Sequence, residues 1–74
     1  MPRKLRELRR DLRRDGWYLD RQRGTSHQTW KHDLALDFPI VLAGHDGADA
    51  KDYQEKLVHE GQQRTREARR KKGH

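Results

Sequence analysis

Gly24-Thr25-Ser26-His27 stands with Arg21 and Arg23 upstream and Lys31 downstream. Cutting RNA without a metal needs a base for the 2′-hydroxyl proton, an acid for the leaving 5′-oxygen, and cations for the phosphorane. Histidine suits the proton steps, because an ordinary pKa of about 6.5 leaves both forms populated near neutrality. Arginine and lysine suit the developing negative charge. From these residues alone, His27 is either a catalytic group or a solvated histidine at a hairpin. The other histidines carry less: His45 lies in a Gly44–Gly47 loop, His59 in a helix-like stretch, and His74 is the last residue. None of the five histidines has the i, i+4 spacing or the Cys partner of a zinc site, so no metal and no cofactor is expected.

The elements around this cluster follow from spacing. Pro2 suits a helix entry, and Leu5, Leu8 and Leu12 recur at i, i+3 and i+7 among Arg9, Arg10, Arg13 and Arg14. Gly16 supplies a stop. Trp17 and Leu19 alternate against Tyr18 and Asp20 in a strand that runs to Arg23, with a turn at Gly24, Thr25 and Ser26. A second strand covers residues 27–32, with Trp30 on the face opposite His27, Thr29 and Lys31. Residues 36–43 form a third, with Phe38, Ile40 and Leu42 on one face and Pro39 marking an edge or a bulge.

Asp49 is expected to cap a second helix, Tyr53 and Leu57 to face the sheet, and Gly61 to end or weaken that helix. Residues 62–74 have only Ala68 to bury and are expected to be frayed helix or disordered. The domain expectation is therefore 1–61 plus a basic tail, 62–74. The order α-β-β-β-α predicts an α+β domain, with two helices on one face of a three-stranded antiparallel sheet.

Composition narrows the function classes. The chain has 74 residues, 41% charged and 30% hydrophobic, which allows one small domain. The net charge of +6 hides a pattern. Residues 1–23 hold nine Lys/Arg and four Asp/Glu, residues 24–63 three and seven, and residues 64–74 six and one. Two cationic ends flank an acidic middle, so a polyanion would meet the ends, with nucleic acid favoured over membrane. No apolar run reaches ten residues, so neither a membrane span nor a secretory segment is expected. With no cysteine, a reducing cytoplasm is the expected location.

A helix followed by Gly16-Trp17-Tyr18-Leu19, Arg21-Gln22-Arg23, Gly24-Thr25-Ser26-His27, Trp30, Lys31-His32 and a short Pro-containing strand resembles the HicA family of toxins. These belong to bacterial toxin–antitoxin systems. The resemblance implies a fold like a double-stranded-RNA-binding domain and an mRNA endonuclease that inhibits translation until a HicB-type antitoxin covers it. It implies that His27 is catalytic, that Gly24, Thr25 and Ser26 form the supporting turn, that Trp30 is a core aromatic and that His32 matches a second histidine. The resulting expectation is a metal-independent endoribonuclease toxin. Its phosphate contacts would come from Arg9, Arg10, Arg13, Arg14, Arg21, Arg23 and Lys31. The rival readings are a small non-catalytic RNA-binding protein that reads A-form shape, and a ribosome- or nucleoid-associated basic protein.

Overall fold

In the computed structural model, residues 3–24 and 27–72 are described. The expectations for Pro2, Thr25, Ser26 and His74 fall outside the described residues. The order is α1 (Leu5–Arg14), β1 (Tyr18–Arg23), β2 (His27–Lys31), a short 3-10 helix (Asp33–Ala35), β3 (Ile40–Ala43) and α2 (Asp52–Lys72). The strands form one antiparallel sheet in the order β1-β2-β3. Both helices cover one face of it, which is the expected α+β arrangement of a double-stranded-RNA-binding domain.

The leucine stripe of α1 is buried throughout, together with Trp17, Trp30, Ile40, Leu42 and Val58. The helix start has no side-chain cap. The loop after β3 serves instead, its Ala48 and Asp46 carbonyls accepting from the Leu5 and Arg6 amides at 2.9 and 3.1 Å. At the other end Gly16 adopts φ +94°. The Gly16 amide donates to the Arg13 carbonyl and the Trp17 amide to that of Leu12, a Schellman closure that delivers Trp17 into the core beside Leu12.

Three expectations are corrected. The third strand is shorter than 36–43, because Leu36 and Asp37 turn directly after the 3-10 helix, the Phe38 amide donating to the Ala35 carbonyl at 2.9 Å, and Pro39 sits just before the ladder, where no amide is needed. Asp49 does not cap α2; it pairs with Lys4, and the Gln54 side chain reaches back to the Lys51 amide at 2.8 Å. Tyr53 is exposed, and the face of α2 turned to the core is Gln54, Val58, Gly61 and Thr65.

Gly61 also behaves differently from expectation. It lies in mid-helix, where a Cβ would come within 2.6 Å of Ile40 Cδ1 and 2.8 Å of Trp17 Cζ2. Glycine loses about 1 kcal/mol of helix propensity against alanine, and the close approach of α2 to Trp17 and β3 offsets it. The helix therefore continues through the basic segment to Lys72. Thr65 is fully buried there.

Asp15 fastens this extension. Its carboxylate accepts from Thr65 Oγ1 at 2.6 Å, Arg69 Nη1 at 2.7 Å and Trp17 Nε1 at 3.0 Å. Burial pushes the Asp15 carboxyl up. The bonds from Thr65, Arg69 and Trp17 and the charge of Arg69 outweigh that, holding it below the usual carboxylate range. The last turns of α2 find their partner in Asp15, some fifty residues earlier in the chain, a pairing that no local periodicity encodes.

Candidate nucleic-acid interface

His27 is the first residue of β2, the central strand, and is exposed. Across the ladder it faces Arg23 of β1 and Ala43 of β3. Alternation sends Trp30 toward the helices, so His27, Thr29 and Lys31 share the face that no helix covers.

Strand β1 adds its cations through an irregularity. Leu19 is opposite Trp30, yet Arg21, not Asp20, is opposite Thr29. Asp20 is the extra residue of a β-bulge. Simple alternation would place Tyr18 and Arg21 on opposite faces. The bulge resets the phase, so Tyr18, Arg21 and Arg23 all register against open-face residues: Lys31, Thr29 and His27. Val41, half exposed, completes the surface opposite Thr29. The open face thus joins an imidazole, two guanidiniums, an ammonium and a phenol. Lys31 is partly engaged, its Nζ lying 3.3 Å from Asp20.

Gly24 begins the loop between Arg23 and His27 with φ +59°, a left-handed conformation natural to glycine. On the far side of His27, the loop after β3 is held firmly. Gly44 takes φ +127°, with Leu5 Cδ1 only 2.5 Å from where a Cβ would be. Arg9 donates to the Gly44 carbonyl at 2.7 Å and to Asp46 at 2.6 Å. Exposed His45 therefore sits between two anchored neighbours.

The expected phosphate contacts divide between the two layers. Arg21, Arg23 and Lys31 lie with His27. Arg9, Arg10, Arg13 and Arg14 belong to α1, on the other side of the sheet. Of these, Arg9 is corrected outright: it is only 4% exposed and is committed to the loop carbonyl and Asp46. Its leucine-flanked position already put it beside the buried stripe. Arg13 lies over the Trp30 ring at 5.0 Å from the centroid, while Arg10 and Arg14 are exposed on the helix. Tyr18 is the open-face residue that the expected phosphate-contact set omitted; alternation set it apart from Leu19, but the bulge that groups it with Arg21 leaves no trace in composition.

His32 lies away from His27. It is buried, its Nδ1 accepts from the Leu34 amide at 2.9 Å, and its Nε2 lies 2.9 Å from the Asp15 carbonyl. Arg69 Nη2 also lies 3.3 Å from that Nε2, so the ring sits where the α1–β1 turn, β2 and the end of α2 meet. The ring packs edge-on against Trp17, with centroids 5.5 Å apart. This histidine caps the 3-10 helix and ties β2 to the α1–β1 turn.

Among the described residues, no helix is long and apolar enough to cross a membrane. Residues 5–63 match the protein-family model described as HicA toxin of bacterial toxin-antitoxin. No curated protein and no solved structure matches the chain.

Proposed function

The chain belongs to the HicA toxin family of bacterial toxin–antitoxin systems, and from that premise we propose that it is a metal-independent endoribonuclease acting on mRNA through His27. The observation that carries this reading is the register that sets exposed His27 on the open face beside Arg23, with Arg21 two pairs further along. His27 takes the proton from a 2′-hydroxyl. The 2′-oxygen then attacks phosphorus, the P–O5′ bond breaks and a 2′,3′-cyclic phosphate forms. The leaving 5′-oxygen takes a proton at this water-washed surface. Arg21 and Arg23 stabilise the phosphorane charge as it develops. The supporting turn would be Gly24 with Thr25 and Ser26. The direct test is cleavage of mRNA by wild type and by His27→Ala.

A toxin of this family has an antitoxin partner. A HicB-type antitoxin would cover the His27 face, acidic side chains reaching Arg21 and Arg23. Such charge-assisted pairing speeds association most at low salt. Co-expression with the neighbouring reading frame should give one complex in size-exclusion chromatography, with cleavage suppressed. A non-toxic protein that elutes alone would reject this partner.

The exposed cations of the last turns of α2 (Arg66, Arg70 and Lys71) are placed to add non-specific phosphate contacts. Deleting residues 64–74 would also remove Thr65 and the Arg69–Asp15 pair, so replacing the three by glutamine is the cleaner test. Each phosphate neutralised on a single strand contributes about −0.7 to the slope of log K against log salt. The triple variant should bind RNA more weakly, with a slope shallower by about 2 units. Identical slopes in isotherms at several salt concentrations would show that these cations only solvate the helix.

A further inference from the structure

We infer that the open sheet face takes its RNA as a single strand, with Tyr18 as the platform on which one unpaired base stacks. This inference rests on the ribonuclease reading above and names the form of substrate the site accepts. Three large aromatics lie on or beside the sheet. Trp17 and Trp30 are 3% and 1% exposed and belong to the core, whereas Tyr18 is 43% exposed. The bulge at Asp20 puts Tyr18 on the same face as His27, opposite Lys31. Its hydroxyl lies 3.4 Å from Asp33 Oδ1, a contact that tethers the edge of the ring and leaves its face available.

Between the two ends of this track lie groups suited to a sugar–phosphate chain. Lys31 stands beside Tyr18, Arg21 and Thr29 follow, and Arg23 stands beside His27, with half-exposed Val41 as apolar ground. Four residue steps along β2, from Lys31 to His27, separate the pair holding Tyr18 from the pair holding His27. At about 3.3 Å per strand residue, that is roughly 13 Å. The span corresponds to about four nucleotides at a stacked rise of about 3.4 Å, and to fewer when the strand is stretched. A base can lie on the phenol only if it is unpaired and splayed from its neighbours, so a duplex cannot use this platform. The rival A-form reader would instead engage the α1 cations on the opposite layer.

The test uses short single-stranded RNAs bearing 2′-O-methyl groups throughout, which block attack, with 2-aminopurine moved through each position in turn. Wild type should quench the fluorescence at one or two positions. Tyr18→Ala should lose the quench and bind about 5- to 100-fold more weakly, and Tyr18→Phe should restore both. With cleavable RNA, the loss in Tyr18→Ala should fall on KM rather than on kcat. Duplex RNA of the same sequence should bind wild type and Tyr18→Ala equally. Absence of a quench in a protein that cleaves RNA overturns the platform and spares the ribonuclease reading. A position-specific quench without cleavage of unmodified RNA has the opposite meaning. Failure to bind any single strand overturns both, and Tyr18→Ala weakening only antitoxin binding would assign the phenol to the protein interface instead.

Discussion

Replacing His27 by alanine is expected to lower RNA cleavage by about 10²–10⁴-fold, the usual contribution of a positioned acid–base group. Fold and antitoxin binding should survive, because the side chain is exposed and no part of the core rests on it. Growth arrest on induction and cleavage of a labelled mRNA are the two readouts, with thermal unfolding as the control. The His32→Ala variant makes an informative contrast. It strips the cap from the 3-10 helix and the bond to the Asp15 carbonyl, so it should lose activity and stability together. A His27→Ala protein that cuts within a few-fold of wild type would remove His27 from the chemistry. Activity that disappears in EDTA would replace this mechanism with a metal-dependent one.

The largest effect on stability is expected at Asp15. Alanine there removes acceptors from Thr65, Arg69 and Trp17 at once, at a cost of about 2–4 kcal/mol. A domain of this size holds only about 4–11 kcal/mol in total, so the melting temperature should fall by roughly 10–25 °C. The same site gives the protein an acid limb. Since the folded carboxyl titrates below its ordinary 3.8, its contribution is complete above that value and is lost as pH falls through the lower folded pKa. The urea midpoint should therefore fall further between pH 6 and a pH below 3 for wild type than for Asp15→Asn, which has no carboxyl to protonate. Parallel declines in the two proteins would show that other carboxylates carry the acid sensitivity.

Much of this architecture is readable from local pattern. The leucines of α1, the Gly16 stop and the opposition of Trp30 to His27 all depend on residues within a few positions of one another, and all recur in the structure. What escaped reading depends on partners far away in the chain. Gly61 looks like a helix breaker until Trp17 and Ile40 are packed against it. Thr65 and Arg69 look like surface residues until Asp15 meets them. Arg9 reads as one of four arginines around a leucine stripe, and the Gly44 carbonyl and Asp46 are the distant partners that turn it inward. The candidate site shows the same division. His27 and its two neighbouring arginines stand out as types at a hairpin, but their sharing a face with Tyr18 depends on a pairing irregularity that residue types do not announce.

That irregularity makes the length of the segment between Gly16 and Gly24 a functional quantity in its own right. Both ends are pinned, one by the helix closure that buries Trp17 and the other by the pairing of Arg23 with His27. Deleting Asp20 would remove the bulge and leave regular pairing in which Tyr18, Arg21 and Arg23 still meet Lys31, Thr29 and His27. Drawing Asp20 into regular pairing at full chain length would instead bring either Tyr18 or the two arginines round to the helix side. Deleting Asp20 should accordingly be borne better than deleting Gln22, which would set Arg21 and Arg23 on opposite faces of the sheet. The strand works as a phase setting, in which Asp20 is the one odd step that keeps Tyr18 in line with the two arginines.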